Sequence, residues 1–88
     1  MATPTEHGTA FTAFLTREEN SGHGTGFTEP LDDEWTTAEV HATLSAATGT
    51  GTAYTTADTL LAQAEARPPG QRRRLLRLAR IHALRAAR

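Results

Sequence analysis

The residues with the clearest chemical meaning are eight arginines within the last 22 residues of the chain. Residues 67–88 contain no carboxylate, whereas residues 1–66 contain ten carboxylates and one arginine, so the two parts carry formal charges of +8 and −9. A guanidinium presents a planar fork of N–H donors that fits phosphate or carboxylate oxygens. The basic segment is therefore expected to meet nucleic acid, an acidic partner or a membrane surface, or to be neutralised by the acidic part within one fold or across a homodimer.

The histidines are spaced in a way that does not favour a metal site. They come from separate regions, no two lie four residues apart, and the chain has no cysteine to complete a zinc shell. We therefore expect no metal and no other cofactor. His82 should be buried and hydrogen-bonded on the apolar side of a helix, and His41 should lie on a helix surface. The four histidines are His7, His23, His41 and His82.

Nucleophilic catalysis has no support in the residue pattern. No serine or threonine can be placed beside a histidine base and an orienting carboxylate. The glycine-containing stretches 22–26 and 49–51 lack the Lys-Ser/Thr ending of a phosphate-binding loop, and they are interpreted as turns. The chain is expected not to be an enzyme.

A helix is predicted over residues 37–48. Thr36 and Glu39 have the spacing of a capping box, in which the side chains satisfy exposed N–H groups at a helix start. Trp35 and Val40 match the hydrophobic staple that accompanies such a start. The residues of this helix that are predicted to be buried are Val40, Leu44 and Ala47.

A similar start recurs 19 residues later and predicts a second helix over residues 56–66. This helix should end at Arg67, because the Pro-Pro-Gly sequence at 68–70 cannot continue it. Its predicted buried residues are Ala57, Leu60, Leu61 and Ala64.

A third helix, over residues 71–88, should be apolar on one side and basic on the other. Ile81 and Leu84 fall among the arginines, so either they contact a partner chain or the helix is buried on two sides while its arginines extend to solvent. The predicted apolar side consists of Leu75, Leu76, Leu78, Ala79, His82, Ala83, Ala86 and Ala87. The basic side consists of Arg73, Arg74, Arg77, Arg80, Arg85 and Arg88.

Residues 35–66 carry the patterns "T..EVH..L" and "AYTT....L" on two helices joined by a glycine-containing turn. In this respect the segment resembles the helix-turn-helix of winged-helix repressors of the penicillinase-repressor type, in which the second helix enters the DNA major groove. The resemblance implies that Tyr54, Thr55 and Thr56 lie at the start of a recognition helix, near phosphates or base edges. The exposed arc of the same helix adds Thr59 and Gln63 as candidate base contacts. The candidate phosphate contacts are Arg73, Arg77, Arg80 and Arg88.

Residues 1–30 form a Thr/Gly-rich segment with few apolar side chains. Two short extended stretches, at about 9–16 and 25–29, predict either a hairpin, which would be marginal alone, or a disordered arm. Residues 31–88 form the helical domain. The expected fold class is mainly α, with a three-helix, helix-turn-helix-like unit.

Two functions follow from these patterns. The first is a small DNA-binding or transcription-regulatory protein, in which the basic helix contacts phosphates. The second is a non-enzymatic protein–protein interaction or structural module, a subunit of a larger assembly, that uses Ile81, Leu84 and the N-terminal aromatic residues. A membrane partner is disfavoured because the basic helix has no Trp or Phe. The absence of cysteine, of a signal-peptide-like start and of a long apolar run predicts a cytoplasmic location.

Overall fold

A computed structural model describes residues 1–20 and 31–88, which form a mainly helical fold, as predicted. Within these ranges no strand occurs. A short 3-10 turn, Pro69–Gln71, precedes the last helix. The α-helices in the described residues are α1 (Pro4–Asn20), α2 (Asp32–Ser45), α3 (Thr52–Glu65) and α4 (Arg73–Ala86).

Helix α1 replaces the extended stretch predicted over residues 9–16, and that prediction is wrong. Thr3 caps the helix, because its hydroxyl accepts a hydrogen bond from the Glu6 N–H at 3.2 Å while the Glu6 carboxylate accepts one from the Thr3 N–H at 3.0 Å. Pro4 occupies the first turn, where its fixed φ angle suits a helix. The other extended stretch, 25–29, lies outside the described residues.

Helix α2 begins at Asp32, before Thr36 in the sequence. The prediction that Thr36 is the N-cap is therefore wrong. The Glu34 carboxylate accepts a hydrogen bond from the Leu31 N–H at 3.0 Å and so covers the true start of the helix. Thr36 lies inside the first turns, where its hydroxyl donates to the Asp32 carbonyl. Three acidic residues in the first turn favour this earlier start because they face the positive end of the helix dipole.

Helix α3 also begins earlier than predicted, at Thr52, and it ends at Glu65, close to the predicted end. Gly51 precedes it with a φ of 95°, a conformation that residues with a side chain rarely adopt. The buried face follows the predicted spacing. Ala57, Leu61 and Ala64 are buried, and Leu60 packs against the core at its edge.

The core lies where α3 and α2 pack against α4, and α1 lies along α2. Four of the nine residues in the buried cluster are alanines, so the helices pack closely, with little side-chain volume between them. Val40 and Leu44 of α2 are fully buried, as predicted. Ala47 also packs against the core, but it lies after the end of α2 at Ser45, so the predicted helix end at residue 48 is wrong. The buried hydrophobic cluster comprises Val40, Leu44, Tyr54, Ala57, Leu61, Ala64, Leu76, Ala79 and Ala83.

Candidate functional site

A groove of about 390 Å³ runs between the start of α2 and the basic helix α4. Trp35 is one of its lining residues, and the others include acidic side chains from α2 and arginines from α4. The groove therefore brings together three of the four predicted phosphate-contacting arginines. The residues that line it are Asp32, Asp33, Trp35, Thr36, Arg73, Arg77 and Arg80.

Two of these arginines are paired with carboxylates of α2. The Arg80 Nε atom lies 3.2 Å from a Glu39 carboxylate oxygen, and the Arg73 Nε atom lies 3.7 Å from Asp33. All four side chains are partly exposed, so each pair contributes on the order of 0–1 kcal/mol to folding. The acidic and basic parts of the chain thus neutralise each other in part within one fold.

Three other arginines of α4, and a fourth that lies just after its end, make no ion pair with any described residue. Their side chains are exposed, and they remain available to an external anion. They are Arg74, Arg77, Arg85 and Arg88.

The exposed face of α4 also carries three large aliphatic side chains. Ile81 is 57% exposed and Leu84 is 49% exposed, in agreement with their predicted place among the arginines. Leu78 was predicted on the apolar side but is 36% exposed, because Leu76, Ala79 and Ala83 fill the contact with the other helices. This face is thus an apolar strip bordered by guanidinium groups, which is a typical surface for binding another protein.

The predicted recognition helix presents a different set of side chains from the one implied by the resemblance. Tyr54 is fully buried, and its hydroxyl donates a 2.7 Å hydrogen bond to the Ala2 carbonyl, so it is a core residue and not a surface contact. Thr56 is half-buried. Thr55, Thr59 and Gln63 are exposed, as predicted.

These three exposed residues border a second groove, of about 810 Å³, that includes no residue of α4. The structure therefore divides six of the nine predicted DNA-binding residues between two grooves. One holds the candidate base contacts on α3 and the other holds Arg73, Arg77 and Arg80.

The second groove contains a histidine pair that the sequence analysis did not bring together. The Nδ1 atoms of His7 and His41 lie 2.8 Å apart, and the His7 Nε2 atom lies 2.8 Å from a carboxylate oxygen of Asp58. The His7 side chain is 2% exposed and that of His41 is 16% exposed, so the prediction that His41 lies on the surface is wrong. Because these contacts join residues 34 and 51 positions apart, no local spacing in the sequence could indicate them.

The heavy-atom distances limit how protons can be arranged in this cluster. With both rings neutral and Asp58 ionised, His7 donates from Nε2 to the Asp58 carboxylate, and its Nδ1 atom accepts from the His41 Nδ1–H. The His41 Nε2 atom then faces the Glu65 carboxylate at 3.7 Å. Burial lowers the pKa of His41 to about 4, the charge of His7 lowers it further, and Asp58 opposes both effects. His41 is therefore neutral near pH 7.

His82 differs from its predicted environment. It is half-buried on α4, but its buried Nδ1 atom has no hydrogen-bond partner among the described residues, contrary to the prediction of a hydrogen-bonded histidine. Among residues 1–20 and 31–88, no group of three or more His, Cys, Asp or Glu side chains is arranged to hold a metal ion. No helix of residues 1–20 or 31–88 is both long enough and apolar enough to cross a bilayer.

Comparisons with models of protein families, with curated proteins and with solved structures found no match. The resemblance of residues 35–66 to a repressor helix-turn-helix thus stays a prediction.

Proposed function

We propose that this protein is a non-enzymatic interaction module that binds an acidic, amphipathic helix of a partner protein along the exposed face of α4. The observation that carries this proposal is the apolar strip of Leu78, Ile81 and Leu84, which lies exposed among arginines that have no ion pair in the described part of the chain. A face with this composition combines a driving force for association with a charge that selects the partner.

The apolar strip provides the driving force. Its three side chains are spaced three residues apart, so they form one diagonal row on the helix surface. Covering the exposed part of each would contribute on the order of 1 kcal/mol. A second helix is a suitable occupant, because its own row of side chains can pack into the grooves beside such a ridge.

The arginines define the chemistry of the partner. Arg77 lies between the two ion-paired arginines, and Arg85 and Arg88 follow near the end of the helix. Carboxylates on the borders of the partner helix would face these guanidinium groups and could form paired hydrogen bonds with them. The same charges would accelerate encounter with an acidic partner at low salt.

DNA binding is a second candidate, because α3 exposes Thr55, Thr59 and Gln63 on one arc at its surface. In a transcription-regulatory protein these residues would contact base edges, and Arg77 and Arg88 would contact phosphates. Binding would then weaken with salt by a slope of roughly −0.9 for each phosphate neutralised. The ion pairs of Arg73 and Arg80 with α2 carboxylates make this candidate the weaker of the two.

One titration series tests both candidates. The whole chain is titrated with a fluorescent acidic peptide that is helical and has leucines at three- and four-residue spacing, and separately with a random-sequence DNA duplex, each at three salt concentrations. A peptide of the same composition but scrambled spacing is the control for charge alone. We expect the patterned peptide to bind at least about tenfold more tightly than the scrambled one, a difference of 1.4 kcal/mol.

Variants then locate the surface. The double substitution Ile81→Asp and Leu84→Asp should abolish peptide binding, whereas Arg67→Ala, which removes an exposed arginine outside α4, should leave it nearly unchanged. Equal binding of the two peptides would overturn the interaction proposal, because it would show binding by charge alone. Salt-sensitive binding to the duplex alone would overturn it in favour of DNA. Self-association that is lost in the double variant would show that the strip is covered by a second copy, and it would also overturn the proposed partner.

A further inference from the structure

We infer that His7, His41 and Asp58 form an acid-sensitive latch that holds helix α1 against α2 and α3. The inference concerns a different part of the molecule from the proposed partner surface and does not depend on it. Each of the three residues belongs to a different helix, and together they form a continuous chain of hydrogen bonds across the fold.

The latch is the main polar attachment of α1. His7 is the buried residue of this otherwise largely exposed helix. Nearby, the Tyr54 hydroxyl donates to the Ala2 carbonyl just ahead of α1, and the rings of His7 and Tyr54 meet edge to face, with centroids 5.9 Å apart. Further along α1, Phe14 packs edge-on against Trp35 of α2 at a centroid distance of 5.1 Å. Loss of the histidine contacts would therefore leave α1 held mainly by its apolar side chains.

Counting protons shows why acid opens the latch. With both rings neutral, the single Nδ1–H of His41 is shared with the Nδ1 atom of His7. One added proton still leaves one hydrogen between these two nitrogens, and the Asp58 carboxylate offsets the new charge. A second added proton places an N–H on both nitrogens, so the 2.8 Å hydrogen bond cannot persist and two cationic rings stand with centroids 5.0 Å apart.

Nearby carboxylates oppose the opening while they are ionised, because their charge offsets that of the rings. From α3, Asp58 and Glu65 face the pair, and protonation of either carboxylate would remove negative charge that offsets the cationic rings. Tyr54 is neutral throughout the acidic range. From α1, Glu6 faces His7, and the terminal amine faces Glu6 in turn. Arg72, just before α4, donates hydrogen bonds to the backbone carbonyls of Glu65 and Arg67 at this end of α3.

Trp35 provides a built-in reporter, because it is the chain's one tryptophan and it packs on α1 through Phe14. We expect the tryptophan emission to shift to the red between pH 6 and pH 3.5, with a midpoint near 4. The helical signal in circular dichroism should fall over the same range by no more than the share contributed by α1. The size of the loss in helical signal thus distinguishes opening of the latch from unfolding of the whole domain.

Substitutions identify the titrating pair. In His41→Asn the side-chain amide can still donate to His7 but cannot take up a proton, so the midpoint of the emission change should fall by about one pH unit or more. His82→Asn removes a histidine of α4 and should leave the midpoint unchanged. The latch would be overturned by an unchanged emission midpoint in His41→Asn. It would also be overturned if the helical signal of the whole domain were lost together with the emission change.

A measurement on the unsubstituted chain covers the case in which His41→Asn does not fold. Nitrogen-15 NMR of the imidazole rings should show His41 neutral and protonated at Nδ1 near pH 7. His41 should take up its second proton over the range in which the Phe14 and Trp35 side chains lose their mutual contact. Full protonation of both rings with that contact intact would also overturn the proposal.

Discussion

His7 on α1 and Asp58 on α3 share a 2.8 Å hydrogen bond in the interior of the protein, although they lie 51 positions apart in the sequence. The imidazole is almost completely enclosed, and the carboxylate is only slightly exposed. This contact joins the first helix to the third. The stability of the fold therefore depends on two buried polar groups that must stay hydrogen-bonded to each other.

Removing the charge of Asp58 should weaken the fold. We expect Asp58→Asn to lower the free energy of unfolding by about 1–3 kcal/mol, because a charge-assisted hydrogen bond to a buried ring is replaced by a neutral one. Urea unfolding at pH 7 measures this change. Thr59→Ala, at the adjacent exposed position, should change stability by less than about 0.5 kcal/mol, and an equal loss in both variants would contradict the assignment.

Stability should fall with acid over a defined pH range. The pKa of His41 is lowered in the folded chain to about 4 from an ordinary value of 6.5, so the unfolded chain takes up a proton at a higher pH than the folded one. The stabilisation is therefore complete above pH 6.5 and is lost progressively as the pH falls towards 4. Thermal unfolding midpoints recorded at half-unit intervals test this, and a midpoint that stays constant between pH 6.5 and 4 would contradict it.

The two sides of α4 should respond differently to truncation. Leu76→Ala leaves a cavity among fully buried side chains and should cost about 2–5 kcal/mol. Leu84→Ala, which trims an exposed leucine of the same helix, should change stability by less than about 0.5 kcal/mol. Denaturant unfolding of the two variants compares the faces directly, and similar losses would mean that Leu84 is buried in solution.

The turn before α3 depends on glycine at one position. Gly51 has a φ of 95°, so Gly51→Ala should destabilise the fold by about 1 kcal/mol or more even though no atom lies within 4 Å of the added carbon. Gly70 has the same open surroundings but no positive φ angle, so Gly70→Ala is a matched control. Its effect should be close to neutral, and a comparable loss in both variants would remove the backbone explanation.

Releasing Arg80 from its intramolecular partner should strengthen binding without much effect on folding. Glu39→Gln removes the carboxylate at 3.2 Å and should change stability by less than about 1 kcal/mol. Affinity for the acidic helical peptide should rise by several-fold, with a steeper dependence on salt. Thr43→Ala, further along α2, is the control, and unchanged affinity in Glu39→Gln would show that Arg80 lies outside the binding surface.

The helical fold class and the buried faces of α2, α3 and α4 were predictable from the sequence, because the apolar residues recur at helical spacing. Val40 and Leu44, for example, lie one turn apart and are both fully buried. The helix starts were less predictable, because several Thr and acidic residues compete for the cap. Thr36 has the right spacing to Glu39, but Glu34 covers the actual start of α2.

Helix α1 had a local signal that composition obscured. Thr3 and Glu6 form a capping box with Pro4 in the first turn, yet the threonines and glycine of this segment favour extended or turn structure. Packing of Phe14 on Trp35 supports the helix in the folded chain. The histidine pair had no such signal, because only the tertiary arrangement of α1 and α2 brings His7 to His41.

Trp35 lines the arginine groove on one side and contacts Phe14 of α1 on the other. Trp35 thus lies between the groove beside α4 and helix α1, whose attachment the proposed latch controls. Thermodynamic linkage then requires reciprocity: if a partner binds more tightly when α1 is attached, its binding must raise the proportion of attached α1 by the same factor. The coupling free energy equals the difference between the partner's binding free energies for attached and detached α1. Through this coupling, acid would weaken association at a groove that itself contains no histidine.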